Sequence, residues 1–348
     1  MKELLQMLVL KKLKIKPLNR AVSVQMLKQL QHKTGLYSAS KLNVATGYNK
    51  AWVRDNIYEA LGMESVKDYD SVRKTYRALL DLFLKHEHKI NCAIIEKPDA
   101  SYKYIHARYN PITFEEFHEE WGNKQNDAIG AFLFKIGDLE RKDIKVLRDI
   151  KDYVMIQKLV NYLASIEYWH DKDNGIWEES EEVHASSIGA CVAGLKAVKD
   201  IVIVPPWLIK AGEKALNKLL PNESPTKKVD LALLSLIYPY NVVNGKQKKE
   251  ILDNVEKFLV KKRGVIRYVG DKYYNKNGEP EWTMGFPWLA KIYKDSGDSK
   301  RYGFYLKKTY DAMNDRGELP ELYFANSEEH NENSPLGWSQ AMYLVAVA

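Results

Sequence analysis

The chain has 348 residues, 45% of them hydrophobic, and its 53 basic and 46 acidic residues leave a net charge of +7. That length can bury a large core as one domain or two. The lysines are interleaved with Glu and Asp, the pattern of a solvated surface, so no nucleic-acid partner is expected. No run approaches the ~20 apolar residues of a membrane span, so no membrane partner is expected either.

Residues 1–17 read as a basic amphipathic extension. The apolar stretch Leu4-Leu5-Gln6-Met7-Leu8-Val9-Leu10 is followed by Lys11-Lys12-Leu13-Lys14-Ile15-Lys16. Glu3 interrupts the start and no small-residue cleavage site follows, so the segment reads as an add-on rather than a leader. Residues 18–348 read as one all-α domain. Apolar spacings of three, four and seven predict helices over 18–34, 55–64, 68–92, 126–138, 143–166 and 184–199. A seventh starts after Pro205-Pro206, where proline suits a first turn. Five more are expected over 227–238, 246–261, 282–295, 299–314 and 335–347, with a short strand at Val265–Val269. Two isolated cysteines, Cys92 and Cys191, make neither a disulfide framework nor a zinc motif and fit a reducing, cytoplasmic setting. Cys191 lies in an Ala/Gly/Val-rich stretch and reads as buried.

The connections alternate. Those after even-numbered predicted helices are short, and those after odd-numbered ones, the seventh excepted, run to about 17–33 residues, long enough to imply a function. In a ring of helical hairpins the long loops share one face, and that face should carry the site.

The motifs lie on those loops. Ala51-Trp52-Val53-Arg54-Asp55-Asn56 joins an aromatic face to an Arg and an Asp, a set that can grip a sugar ring and its hydroxyls. Asp55 could equally be a helix N-cap. Trp121-Gly122-Asn123-Lys124-Gln125-Asn126-Asp127 offers a second polyol-binding set, or a helix start. In Gly175-Ile176-Trp177-Glu178-Glu179, a carboxyl beside Trp177 can be desolvated and so kept protonated as a general acid. The alternative is a cluster of acids stabilising the helix that begins near His184-Ala185-Ser186-Ser187. Arg267 in Arg267-Tyr268-Val269-Gly270-Asp271-Lys272-Tyr273-Tyr274 is a further clamp, or an ordinary ion pair on an exposed hairpin. Glu321, in Leu319-Pro320-Glu321-Leu322-Tyr323, is a second isolated carboxylate or a plain surface glutamate. Pro335-Leu336-Gly337-Trp338-Ser339-Gln340 opens the last helix. The set holds aromatics, carboxylates and arginines. It has no metal-ligand spacing, no Gly-rich phosphate cradle and no nucleophile turn, so it points to neutral carbohydrate without a cofactor.

These motifs, in this order, resemble family 15 glycoside hydrolases, the glucoamylases, over about residues 18–348. The resemblance extends to the glucoamylase-like domain of phosphorylase kinase α and β regulatory subunits, through Ala51–Asn56, His184–Gly189 and Pro320–Tyr323. It implies an (α/α)6 toroid of six helical hairpins. It implies that Glu178 is the general acid and Glu321 the general base, and that Arg54, Asp55, Glu179 and Arg267 bind the terminal glucose. It places Trp52, Trp121, Gln125 and Trp177 in the pocket wall and Trp338 in the family's Trp-Ser element. The expected function is an inverting, exo-acting α-glucosidase on oligosaccharide or glucan, its two carboxyls roughly 6.5–9.5 Å apart. The competing class is a glucan-binding or regulatory protein that uses the same pocket without turnover.

Overall fold

In a computed structural model that describes residues 18–41, 46–119 and 121–348, six helices buried on nearly every side close an inner ring. They are α2 (Val53–Ser65), α5 (Asn126–Arg141), α7 (Ala185–Val198), α9 (Leu234–Ile237), α11 (Gly285–Asp295) and α13 (Gly337–Val347). Each packs on the next, and α13 returns to α2. Outside them lie α1 (Leu18–Leu30), α3 (Tyr69–Lys85), α4 (Glu87–Ile95), α6 (Ile150–Ser165), α8 (Pro206–Leu219), α10 (Gly245–Phe258) and α12 (Ser299–Asp311). The result is an (α/α)6 toroid. The expected extension at 1–17 lies outside the described residues.

The two layers differ because their sequences do. Four outer helices, α3, α6, α10 and α12, are amphipathic and start on side chains that satisfy free backbone N–H groups. Asp68 accepts from Ser71 N, Asp149 from Lys151 N, Asp298 from Arg301 N, and Asn244 with Gln247 forms a capping box. Inner helices are buried on nearly every side, including polar residues of their first turns such as Arg54, Asp55 and Asp127. None of α2, α5, α7, α11 and α13 has a side-chain cap from its N-cap residue. Their positive ends are left facing the long loops.

Close approach of α5 and α7 depends on glycine. A Cβ on Gly130 would stand 2.4 Å from Ala190 C and Cys191 N, and one on Gly194 would stand 2.5 Å from Gly130 O. Cys191 is buried between these helices and donates to Asn126 O.

Several expected boundaries change. The predicted helix 68–92 breaks at His86 into α3 and α4, where the imidazole is drawn to Phe114 O at 2.7 Å. The predicted helix 227–238 shrinks to a 3-10 turn, Leu231–Leu233, and the single turn of α9. There Asp230 turns inward to Trp177 Nε1 (2.7 Å) and Ala232 N (2.7 Å), and its backbone bridges Tyr268. Val265–Val269 makes isolated bridges only. The strands that do form are two-residue pairs: β1 (Ala51–Trp52) with β2 (Arg108–Tyr109), and β3 (Glu281–Trp282) with β4 (Leu322–Tyr323).

Every connection that enters an inner helix from an outer one crosses the same end of the ring: 31–52, 96–125, 166–184, 220–230, 259–284 and 312–336. Among the described residues, the opposite end has only short turns. Shortening the predicted eighth helix lengthens the connection before it, but 220–230 is still the shortest of the six, so the expected exception stands. No described helix is long and apolar enough to cross a membrane.

Candidate active site

Where the long loops meet the inner helix N-termini, a cavity of about 260 Å³ opens. Its walls include Trp52, Arg54 and Asp55 from β1 and the first turn of α2, and Trp121 from the loop before α5. Trp177, Glu178 and Glu179 come from the loop before α7, Arg267 from the loop before α11, and Trp338 from the first turn of α13. Trp338 stacks on Tyr58 at 4.4 Å and lies near-parallel to Trp177 at 6.4 Å, so the cavity rests on an aromatic layer that continues into the core.

Arg54 organises one wall. Its Nη1 donates to Gln125 Oε1 (2.7 Å) and Asp127 Oδ2 (3.2 Å), and its Nη2 to Glu178 Oε1 (3.2 Å). Gln125, expected in the wall, stands behind Arg54 instead, its amide donating to Gly122 O (2.9 Å). Asp127 is fully buried, and burial raises its carboxyl against the pull of Arg54. Asp55 is not the cap of α2, a position held by Trp52. Its carboxyl lines the cavity and is pushed up to about 6 by burial, Arg54 opposing and Glu321 reinforcing.

Glu178 and Glu179 part company. Burial pushes Glu178 up to about 7, with Arg54 and Arg108 opposing and Asp55 adding to the rise. Glu179 is also penalised by burial, but Arg267, Lys227 and Tyr268 outweigh it and hold the carboxyl below its ordinary value. The distances explain why: Arg267 Nη2 donates at 2.9 Å, Lys227 Nζ at 2.7 Å and Tyr268 OH at 2.7 Å. Arg267 is itself fixed by a two-point pair with Asp271, Nε at 2.7 Å and Nη2 at 2.6 Å, which makes it a buried clamp rather than an exposed hairpin residue.

Glu178 adopts φ +63°, a left-handed conformation unusual for a residue with a side chain. The loop is pinned there from below. A Cβ on Gly122 would lie 2.6 Å from Glu178 O, so glycine alone lets the two backbones meet.

Glu321 is fully buried and stands behind Tyr48, not among the residues lining the cavity. One oxygen accepts from Tyr48 OH (2.5 Å); the other accepts from Asn333 Nδ2 (2.7 Å) and from Asn331 Nδ2. Burial raises its pKa, and those three donors, with Arg267, work the other way.

Several contributors were not singled out from the sequence. Tyr48 and Trp282 line the cavity, Asn331 and Asn333 hold Glu321, and Arg108 lies 4.1 Å over the Trp121 ring while its charge acts on Glu178. Tyr48 sits in a stretch with no periodicity, and the two asparagines look like ordinary loop residues. No sequence signal marks them. Among the described residues, no cluster of His, Cys, Asp and Glu is arranged to hold a metal ion.

Comparison with known proteins bears on this geometry. The mouse liver isoform of the phosphorylase b kinase regulatory subunit alpha is 25% identical over 396 residues, covering 90% of this chain and 31% of that protein. The chain thus spans about a third of that relative's length. A wild-type glycosidase structure superposes with a TM-score of 0.80 at 20% identity, covering 95% of this chain and 98% of its own. A bacterial glucoamylase complexed with acarbose gives 0.69 at 18% identity, covering 93% of this chain and 54% of its own. At such identities the two structures establish the fold. The family described as glycosyl hydrolases family 15 matches residues 20–202, more than half of the chain. The chain belongs to glycosyl hydrolase family 15.

Proposed function

We propose that the protein is an inverting, exo-acting α-glucosidase that releases glucose from α-gluco-oligosaccharides. The observation that carries this reading is the unequal setting of two adjacent carboxyls in one sugar-sized cavity: Glu179 accepts from Arg267, Lys227 and Tyr268, which hold it ionised, while Glu178 meets Arg54 at 3.2 Å and burial pushes it up to about 7. Pairs of carboxyls driven apart in this way divide acid from anion. Glu178 protonates the glycosidic oxygen. Glu321, its anionic form stabilised by three donors, takes a proton, relayed by the Tyr48 hydroxyl that stands between it and the cavity, from a water that attacks the anomeric carbon on the opposite face. Tyr48, at the cavity wall, orients that carboxylate. Arg54, Asp55, Glu179 and Arg267 hold the hydroxyls of the terminal ring, and Trp52, Trp121, Trp177 and Trp338 cover its apolar faces. A cavity of about 260 Å³ suits a single ring and so supports release of one unit at a time.

Incubation with maltose, isomaltose, trehalose and maltotriose tests this. Free glucose should appear, and NMR of the first product should show the β-anomer. The similarity to kinase regulatory subunits favours one competing reading, a glucan-binding protein. Binding of these sugars with no glucose released supports that alternative.

A further inference from the structure

His184 is the N-cap residue of α7 and is 3% exposed. It does not line the cavity, and its side-chain partner is Asp173 rather than Glu178. Its ring nevertheless lies flat beneath the turn that carries Glu178. A Cβ placed on Gly175 would meet Nδ1, Cε1 and Nε2 of the imidazole, each at 3.0 Å, so the ring face covers the Gly175 Cα. Gly175 has φ +62°, and its carbonyl accepts the Glu178 N–H at 3.4 Å. Nδ1 of His184 is 2.8 Å from Asp173 Oδ1, and Asp173 Oδ2 accepts from Asn126 N, the first residue of α5, at 2.9 Å. Asp173 also closes the loop, exchanging two backbone hydrogen bonds with Glu182 at 2.8 and 3.0 Å. One buried pair therefore joins the starts of two inner helices to the base of the left-handed turn.

We propose that His184, clamped to Asp173 and lying under Gly175, is a positioning residue that holds Glu178 in its strained orientation toward the cavity. This rests on the reading of Glu178 as the acid.

The electrostatics agree with the geometry. Burial opposes an imidazolium here, but the Asp173 hydrogen bond and charge, with Glu223, overcome it and lift His184 to about 9, Lys227 opposing. Its charge also acts on three carboxyls packed around it: Asp127, which grips Arg54; Asp230, which binds Trp177 Nε1; and Glu223, held by Ser186. A group whose folded pKa is raised keeps its contribution below the unfolded value and loses it as pH rises through the folded one. The charged clamp therefore holds at neutral pH and weakens as pH rises toward 9, where the neutral ring keeps only its Nδ1–H on Asp173.

The full chain serves for the test. Histidine labelled with ¹⁵N reports the charge of His184, assigned through His184→Asn. Both ring nitrogens should be protonated at neutral pH, and a ring without a proton on Nδ1 overturns the inference. Next, maltose hydrolysis is compared in His184→Leu, which lacks a donor, and His184→Asn, whose amide can still reach Asp173. Misplacement of a reacting group costs up to about 10²-fold. The kcat of His184→Leu should fall by that order with glucose affinity within about threefold, and His184→Asn should recover most of the loss. Parent-like kcat in His184→Leu, or equal loss in both variants, overturns the proposal. If His184→Leu does not fold, Asp173→Asn carries the same expectation. A readout independent of turnover is the Glu178 carboxyl followed by ¹³C NMR. Its titration should move in His184→Leu and return in His184→Asn, and an unmoved titration refutes the link. If the parent releases no glucose, the proposed function fails separately, while the carboxyl titration still decides the role of His184.

Discussion

Arg54 lies between two carboxylates, its Nη1 3.2 Å from Asp127 Oδ2 and its Nη2 3.2 Å from Glu178 Oε1. Asp127 is buried and Glu178 faces the cavity, so the guanidinium is anchored from behind while it restrains the carboxyl in front. That arrangement leaves Glu178 able to carry a proton near neutrality despite an adjacent cation, because burial outweighs the charge.

Glu178→Gln keeps size and hydrogen bonding but has no proton to give. Turnover should fall by about 10²–10⁴-fold, with sugar affinity within a few-fold. Glucose release together with calorimetric binding checks both halves.

The pH profile should be a narrow bell. Glu178 must be protonated, so the rate falls as pH rises through about 7. Glu321 must be ionised, and since burial raises its pKa, the acid limb lies above the ordinary carboxylate range. In Tyr48→Phe one donor to Glu321 is gone, the anion is less stable, and the acid limb should move to higher pH. Hydrogen bonds to charged groups contribute roughly 1.5–3 kcal/mol, so kcat at acid pH should drop at least tenfold. An unmoved acid limb in this variant counts against Glu321 as the base.

Asp55→Asn removes an anion that faces the cavity without any side-chain partner among the described residues. It should weaken glucose binding and lower kcat/KM together, because the same contact serves ground and transition states. A loss confined to kcat would assign Asp55 to the chemistry instead.

Glu59, on α2, is fully buried, and neither of its oxygens has a hydrogen-bond partner among the described residues. Burial raises its pKa well above the usual value, and Asp55 adds to the rise. A carboxyl raised on folding leaves stability untouched below its unfolded pKa and lowers it as pH climbs, by about 1.4 kcal/mol per unit. Glu59→Gln should match the parent near pH 4 and become progressively more stable above it. Urea melts across that range would show parallel curves if Glu59 has a normal pKa.

Gly130→Ala should be destabilising. Its Cβ would collide with backbone atoms of α7 at 2.4 Å, where no side chain can swing aside. Overpacking of this kind typically costs about 1–3 kcal/mol, read as a lower denaturant midpoint.

Periodicity in the sequence was enough to determine the helical class and which end of the ring carries the long loops, because apolar spacing and loop length are local properties. The loop motifs, and the resemblance to family 15 that they carry, pointed to Trp52, Arg54, Asp55, Trp121, Trp177, Glu178, Glu179, Arg267 and Trp338, which now line one cavity. What the sequence left open was every choice settled by partners distant along the chain. Whether Glu178 or Glu179 is the protonated neighbour depends on Arg267, Lys227 and Tyr268, brought in from other loops. Gln125 reads like a wall residue and becomes a support for Arg54. The break at His86 and the collapse of the predicted eighth helix follow from Phe114 and Trp177 reaching across the fold. Tyr48, Asn331 and Asn333 acquire meaning only once folding delivers them to Glu321. The physical reason is the same in each case. Hydrophobic patterning acts through near neighbours, whereas burial and charge pairing, which set a carboxyl's proton affinity, are sums over groups that only the tertiary structure brings together.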